Sequence, residues 1–356
     1  MAATSSRRAI SPLMSVPGSL RLQTGVTIVR REGRTNRIWS LSLRLEPPVR
    51  NLPHPQARPV REFSTRRIDR AGRAPPRWAG PGQKDRDMAV AAQDFVAPFA
   101  GMEFAPRRFR LNAADEARMM RVCGSDPALF DHCIDPAALI PHAIRESVLN
   151  GLNANGMVNM LQRIEMQAPL RLDEEITVTG RVTEVIETAR GPVNTTETFY
   201  HGQDGRPGFA LRRVALMTDP DRKADPSLRG AGERPAPVVP DPAALRQVGR
   251  VTLTPADVKT YCLDTGNLIH VDPVVAANAG YRAPLIGGSH GVRYMTAAIW
   301  REGAPRSIVL DIRFRRPIFW DEGFDVRVAD GDPRWSAICL ARGPKVLAEI
   351  AISGWA

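Results

Sequence analysis

The sequence is poor in cysteine and histidine for a chain of 356 residues, and it has no long apolar segment. Its four cysteines are Cys123, Cys133, Cys262 and Cys339, and none of them forms a CxxC pair or stands at a zinc-ligand spacing. This pattern argues against a structural zinc and against a disulfide framework, and it is typical of reduced thiols in a cytosolic protein. No apolar run approaches the ~20 residues that a membrane span needs, so we expect a soluble protein.

The net charge of +11 comes entirely from the amino-terminal part of the chain. Residues 1–87 contain 18 Lys and Arg but only 6 Asp and Glu, which leaves 31 basic and 32 acidic residues for 88–356. We therefore expect no basic groove for nucleic acid in 88–356. A role in nucleic-acid binding would depend on residues 1–87 alone.

Residues 1–87 are rich in Arg, Pro and Ser and lack sustained helical or strand periodicity. Such a segment buries too little apolar surface to offset its chain entropy, which predicts a disordered basic prefix. Three origins remain open. It is a nucleic-acid-binding tail, a mitochondrial presequence with Arg-Glu-Phe-Ser-Thr at 61–65 as its cleavage site, or sequence upstream of a true start at Met88. We favour the last, which goes with a cytoplasmic location.

From residue 88 onward, apolar residues follow helical and strand periods in the same order twice. In the first half we predict a strand at 108–111, helices at 113–123 and 140–161, and strands at 164–172, 176–187, 193–201 and 209–217. Residues 219–247 contain six prolines, which predicts a linker. In the second half we predict a strand at 250–253, helices at 255–263 and 289–300, and strands at 308–314, 324–328, 335–340 and 345–352.

Matched segments in the two halves indicate an internal duplication. Residues 169–178 align with 317–326 at a spacing of 148, and His142-Ala-Ile-Arg145 aligns with His290-Gly-Val-Arg293 at the same spacing. Several matches in one order predict two repeats, at 88–218 and 248–356. A long helix followed by an antiparallel meander packs most simply with the sheet curled around the helix. We therefore predict an α+β protein with two tandem hot-dog domains that form one shared sheet.

The second repeat contains the run Asn267-Leu-Ile-His270-Val-Asp272, followed by Gly280-Tyr281, Pro284 and His290-Gly291. This pattern resembles the signature of the MaoC-like, (R)-specific enoyl-CoA hydratases. That signature reads Gly-Asp-x-Asn-Pro-Ile-His-x-Asp, then Ala-x-x-x-Gly-Phe and Pro-Ile-x-His-Gly at the start of a helix. His290-Gly291 matches the His-Gly of the signature after a slightly longer loop in this chain.

The resemblance implies a hydratase or dehydratase that interconverts a 2-enoyl and a 3-hydroxyacyl thioester of CoA or acyl carrier protein. Adding water to an enoyl thioester requires an acid–base pair and fixed N–H donors for the enolate oxygen. The resemblance assigns the acid–base role to Asp264 and His270 and the donor role to the backbone of Gly291. Gly288 replaces Gly291 if the longer loop shifts the helix start. Asn267, Gly288, Ser289 and His290 are the expected substrate-binding residues.

Two residues depart from the family signature. The family's aspartate stands five residues before the histidine, where this chain has Thr265, and Asp264 stands six residues before it. Leu268 replaces the family's proline, which loosens the same turn. A one-residue slip of the loop would bring the Asp264 carboxylate into place. Without that slip the protein would bind acyl thioesters but not hydrate them, and a thioesterase is a third alternative.

The first repeat has no counterpart of His270, because Ser125-Asp126-Pro127 fills the corresponding place. We therefore expect the first repeat to be non-catalytic. The resemblance to other fused hot-dog proteins implies that it shapes the acyl tunnel and helps to hold the carrier. The resemblance implies no metal and no redox cofactor. The expected partner is the acyl thioester, with no nucleic acid and no membrane, and a homodimer is left open.

Overall fold

The computed structural model describes residues 95–154, 156–218, 226–228, 235–262, 267–331 and 334–356. The predictions for the prefix 1–87, and for most of the linker 219–247, fall outside these ranges. So do Asp264 and Thr265.

The two halves of the described chain contain the same kinds of elements in nearly the same order. The first half consists of β1 (Glu103–Phe109), α1 (Ala113–Val122), α2 (Leu139–Leu149), β2 (Met157–Met166), β3 (Ile176–Thr188), β4 (Gly191–His201) and β5 (Pro207–Met217). The second half consists of β6 (Arg246–Thr252), α3 (Pro255–Cys262), α4 (Pro273–Asn278), α5 (Gly288–Glu302), β7 (Ile308–Phe314), β8 (Gly323–Asp330), β9 (Trp335–Arg342) and β10 (Lys345–Ser353).

The ten strands form one antiparallel sheet in the order β1-β3-β4-β5-β2-β7-β10-β9-β8-β6. Five strands come from each half, and the halves join where β2 pairs with β7, with Gln162 opposite Ile312. The long helices α2 and α5 pack against the same face of this sheet, which we call the inner face. Side chains of both helices belong to one hydrophobic core that spans the two halves. The prediction of two tandem hot-dog domains with one shared sheet is confirmed.

Strand alternation and helix burial explain this packing. On β7, Ile308, Leu310 and Ile312 are buried at alternate positions, which is the pattern of a strand with one face in the core. Helix α5 is different, since every residue from Ser289 to Trp300 is buried. Its polar residues, including His290 and Arg293, therefore lie inside the protein and require partners there.

Most predicted elements agree with the structure to within a few residues, but the prediction of one long helix at 140–161 is wrong. Helix α2 ends at Leu149, and the segment from Met157 onward belongs to β2, so the strand predicted at 164–172 begins earlier and ends at Met166. Gly151 and Gly156 have φ angles of 86° and 76°. This left-handed conformation ends a helix and is accessible to glycine without strain.

The carboxyl-terminal part of the predicted linker 219–247 also forms regular structure. Strand β6 begins at Arg246 and pairs with β8. Before it, the backbone N–H groups of Val238 and Val239 donate to the buried carboxylate of Glu349 at 3.1 and 2.9 Å. Arg315 donates to the same carboxylate at 2.6 Å. The linker residues from 235 onward are therefore fixed to the second half of the sheet.

Candidate active site

His270 ends a short 3₁₀ turn, Leu268–His270, that two neighbouring side chains hold in place. The carboxamide oxygen of Asn267 accepts from the backbone N–H of Ile269 at 3.3 Å. The Asp272 carboxylate accepts from Val274 N at 2.8 Å and caps α4. Asp272 is therefore the N-cap of α4. Asn267, predicted to bind substrate, is a capping residue as well.

The ring orientation of His270 is set by Leu285. Nδ1 of His270 lies 2.7 Å from the carbonyl oxygen of Leu285, and a carbonyl only accepts, so Nδ1 carries the proton. Nε2 then keeps its lone pair in the neutral ring. Burial lowers the pKa of His270, although the hydrogen bond to Leu285 acts in the opposite direction. His270 is therefore neutral at pH 7 and can accept a proton at Nε2.

The amino-terminal end of α5 faces this nitrogen. A methyl group added at Gly287, the N-cap of α5, would lie 3.9 Å from Nε2 of His270. At Gly288, the first residue of the helix, an added Cβ would lie 2.9 Å from the ring of Phe314. A larger residue at 288 would therefore have to displace the Phe314 ring or the start of the helix. The start of α5 and the proton-accepting nitrogen of His270 therefore lie next to each other.

The first turn of α5 distinguishes the two candidate backbone donors. The N–H groups of His290 and Gly291 both turn back to the Gly287 carbonyl, at 3.0 and 3.4 Å. The N–H groups of Gly288 and Ser289 precede them, where helix amides have no acceptor within the helix. Gly291 lies one turn inside, and an added Cβ there would lie 3.3 Å from Leu340. The geometry favours Gly288 over Gly291 as the donor.

His290 lies in the core rather than at the surface of the site. Its ring stacks on Tyr261, with centroids 4.0 Å apart, and also on Tyr294. Nε2 contacts the Tyr294 hydroxyl at 3.3 Å, whereas Nδ1 has no hydrogen-bond partner within the described part of the chain. Burial, together with smaller effects of the Arg293 charge and of the neighbouring His270, lowers the pKa of His290 to about 3. His290 is therefore a neutral histidine that packs behind the site.

A buried polar network, which the sequence did not predict, connects the first half to the start of α5. Arg293 donates to Asp135 at 3.0 Å and to Glu116 at 2.7 Å, and both carboxylates belong to the first half. Its Nε donates to the hydroxyl of Tyr261 at 2.9 Å, and that hydroxyl donates to Ser289 at 3.3 Å. The side chain of Ser289, the residue after Gly288, thus belongs to this network. The single sequence signal was an arginine at a core position of an apolar helix.

The cysteines nearest the site are not nucleophiles. Burial raises the pKa of Cys262 to about 11 and that of Cys123 to about 12, so both are protonated at neutral pH. A thiol nucleophile would need a lowered pKa. Within the described ranges, no group of His, Cys, Asp and Glu side chains is arranged to hold a metal ion, and no helix is long and apolar enough to cross a membrane.

Comparison with known proteins gives structural matches only. No protein-family model matches the sequence, and no curated protein is significantly similar to it. Among solved structures, HtdX from Mycobacterium tuberculosis superposes with a TM-score of 0.55 at 20% identity, over 70% of this chain and 98% of HtdX.

Two further structures share the fold. A MaoC-like dehydratase from Phytophthora capsici has a TM-score of 0.53 at 16% identity, over 72% of this chain and 98% of its own. The full-length peroxisomal multifunctional enzyme type 2 from Drosophila melanogaster has a TM-score of 0.52 at 17% identity, over 70% of this chain and 48% of its own. This chain therefore has the double hot-dog fold that is found in the MaoC-like dehydratases.

Proposed function

We propose that this protein is a hydratase or dehydratase that interconverts a 2-enoyl and a 3-hydroxyacyl thioester of CoA or acyl carrier protein. One observation carries the proposal: Nε2 of His270 has a lone pair and faces the amino-terminal end of α5. The fold shared with a protein described as a MaoC-like dehydratase supports it.

In this proposal the start of α5 holds the thioester carbonyl. The oxygen accepts from the Gly288 N–H, which the helix dipole assists, and the developing enolate is stabilised there. Gly291 is the weaker candidate, because its N–H already donates within the helix. Ser289 contributes the second amide of the first turn.

Hydration then needs two proton transfers. Nε2 of His270 takes a proton from water, the hydroxyl group adds to C3, and the electron pair of the double bond moves onto the thioester as an enolate. The enolate returns its electrons to C2, which takes up the proton that the His270–Asp264 pair received from the water, so the carbonyl is restored and His270 is neutral again. Dehydration follows the same steps in reverse.

We assign Asp264 as the carboxylate partner of His270, on the sequence argument of a one-residue slip. Asp264 orients the water opposite Nε2 and shares in the proton transfer. The position lies outside the described residues, so the assignment depends on its separation from His270 in the sequence. The non-catalytic first repeat, the domain limits at 88–218 and 248–356, and the cytoplasmic location remain predictions.

The alternative is a protein that binds acyl thioesters without hydrating them. Thr265 at the position of the family's aspartate favours it, since a threonine hydroxyl cannot serve as a base at neutral pH. Both functions require the same fold and the same helix start. They differ in whether an acid–base pair is complete.

A hydration assay separates the two. The purified protein is mixed with 2-enoyl-CoA esters of increasing chain length, and loss of the conjugated double bond is followed by absorbance, with His270→Ala as the control. Turnover that disappears in His270→Ala is the expected result. Tight binding of the esters without turnover would establish the binding protein instead.

A further inference from the structure

Arg213 on β5 is a buried cation without a buried counter-ion in the described chain. It is 2% exposed, its Nε donates to the Asn159 carboxamide at 2.6 Å, and Nη2 contacts the sulfur of Met157 at 3.7 Å. Nη1 has no hydrogen-bond partner, and none of the described carboxylates forms a salt bridge with the guanidinium. Burial lowers the pKa of Arg213 to about 10, and no charge on the described residues offsets this effect.

Polar side chains surround Arg213 on the inner face of the sheet. Thr196 on β4 and Gln162 on β2 stand directly opposite Arg213 in the strand register, so all three project from one face. Asn194 and Thr198 flank Thr196 at two-residue spacing on that same face. Gln162 Oε1, Asn194 Oδ1 and Thr198 Oγ1 are buried and have no partner in the described residues.

Such a cluster is unfavourable if nothing binds to it. A buried charge without a counter-ion is strongly destabilised, and each buried polar atom without a partner adds to the cost. Buried polar atoms in folded proteins are otherwise nearly all satisfied, so a group of unsatisfied ones around a cation indicates a ligand. The missing partner of a guanidinium is an anion, and a carboxylate matches its geometry.

The strand register relates this cluster to the start of α5. Gln162 stands opposite Ile312 on β7, and Phe314, whose ring lies against Gly288, is two residues further along β7. Strands lie ~4.8 Å apart and rise ~3.3 Å per residue, which places the backbones of Arg213 and Phe314 about 12 Å apart. Ile312, which lies between them on the inner face, is apolar and buried. An acyl chain held by its thioester at Gly288 would run past Ile312 to reach the cluster.

We propose that Arg213 binds a carboxylate at the far end of the acyl chain, so that the substrates are enoyl thioesters with an acidic tail. The guanidinium provides the charge and the Thr198 hydroxyl a further donor. The carboxamide of Asn194 presents its N–H groups after a 180° rotation of the amide, which leaves its shape unchanged. Gln162 keeps its own N–H on the Arg212 carbonyl at 3.4 Å. The proposal rests on the function proposed above and specifies its substrate class.

The test compares three 2-enoyl-CoA esters of equal length whose tails end in a carboxylate, a hydroxyl or a methyl group. We expect the wild-type protein to have a kcat/KM at least tenfold higher for the carboxylate-tailed ester than for the methyl-tailed ester. Arg213→Met should abolish this preference and Arg213→Lys should keep part of it. Arg212→Met is the matched control, because Arg212 is exposed on the opposite face of the same strand, and it should leave the preference unchanged.

Stability provides an independent measurement on the same variants. Replacing an unpaired buried charge by an apolar side chain of similar size removes a desolvation cost, so Arg213→Met should keep or raise Tm. A large fall in Tm would show that Arg213 holds the fold through Asn159, and the inference would be overturned. Arg213→Lys keeps the charge but changes the packing. A comparison of its Tm with that of Arg213→Met therefore separates loss of charge from loss of packing.

The outcomes also separate this inference from the proposed function. If the methyl-tailed or hydroxyl-tailed ester is hydrated with the same kcat/KM as the carboxylate-tailed ester, the inference is overturned and the proposed hydratase function remains. If no ester is hydrated, the proposed function fails, and calorimetric binding of the saturated esters still tests Arg213. Binding of the acidic ester that Arg213→Met weakens tenfold or more would support the inference, and equal binding of all three esters would refute it.

Discussion

Nδ1 of His270 lies 2.7 Å from the carbonyl oxygen of Leu285. This contact leaves Nε2 as the nitrogen that exchanges protons, and it holds that nitrogen toward the start of α5. Burial disfavours the charged ring at the same time, so the neutral, proton-accepting form persists to lower pH than in an exposed histidine. Position and protonation state therefore both suit a general base.

The pH dependence of activity follows from this lowered pKa. Hydration requires neutral His270, so kcat/KM should stay constant as pH falls to 6.5 and should decrease only below the ordinary histidine value. A profile of kcat/KM between pH 4 and pH 8 measures this. A fall that begins above pH 6.5 would instead indicate a carboxylate in direct contact with the ring.

Substitutions at the proposed acid–base pair should reduce turnover strongly. His270→Ala and Asp264→Asn should each lower kcat by roughly 10²–10⁴-fold, the usual contribution of a positioned proton transfer, with little change in Tm. Thr265→Val should have a smaller effect, because it removes a hydroxyl group but no base. If His270→Ala is inactive and Asp264→Asn is not, another residue supplies the carboxylate or base, and the slipped-loop assignment is wrong.

The backbone donor is tested by adding a methyl group at each candidate glycine. At Gly288 the methyl group meets the ring of Phe314 at 2.9 Å, so Gly288→Ala must move either the ring or the helix start. A shift of about 1 Å at a catalytic group can lower kcat/KM by ~10². Gly291→Ala, with its nearest contact at 3.3 Å, should have a smaller effect.

A second substitution checks the cause of the Gly288→Ala defect. Phe314→Leu removes the ring that the methyl group meets, so the double variant Gly288→Ala/Phe314→Leu should recover activity relative to Gly288→Ala. Greater sensitivity at Gly291 than at Gly288 would return the donor role to Gly291.

The sequence predicted the features that depend on local pattern. Alternating apolar residues located β7 at residues 308–314, and the matched segments located the duplication and so the shared sheet. The motif around His270 located the turn that carries this histidine. The strand and the turn follow from residues that are close in the chain, where periodicity rules apply. The duplication follows from the comparison of segments 148 residues apart.

The features that the sequence did not predict depend on distant residues or on backbone conformation. Helix α2 ends before Gly151 because that residue has a positive φ, which the apolar pattern does not show. The partners of Arg293 lie 177 and 158 residues away, in the other half of the chain. No local pattern indicates which buried carboxylate meets which arginine.

His290 should make the folded protein sensitive to acid. Its pKa is about 3 in the folded state, against an ordinary value of 6.5, so the unfolded chain binds the proton more readily between these values. The free energy of unfolding should therefore be unaffected by this group above pH 6.5 and should fall as pH decreases from 6.5 toward 3. Urea denaturation at pH 7 and pH 5 measures the loss, and His290→Gln should reduce it. An equal loss in that variant would assign the acid sensitivity to other groups.

The ion pairs of Arg293 join the two halves through the core. Arg293 is 4% exposed, and Asp135 and Glu116 are 3% and 12% exposed in their side chains. Removing one member of a buried ion pair costs roughly 3–5 kcal/mol, because the remaining charge is left without compensation. Arg293→Met should therefore lower the free energy of unfolding by that amount. It should also lower kcat, because the Tyr261 hydroxyl that holds Ser289 loses its donor.

An exposed pair across the same boundary is the control for Arg293. Arg163 on β2 and Asp311 on β7 form a salt bridge at 2.7 Å, with side chains 42% and 39% exposed. Exposed pairs contribute up to about 1 kcal/mol, so Arg163→Met should change stability little and leave kcat unchanged. In a double-mutant cycle, Glu116→Gln and Arg293→Met should show strong coupling, because they share one interaction, and Glu116→Gln and Arg163→Met should be additive. If both arginine variants lose the same stability and neither changes kcat, Arg293 only joins the halves and does not position the start of α5.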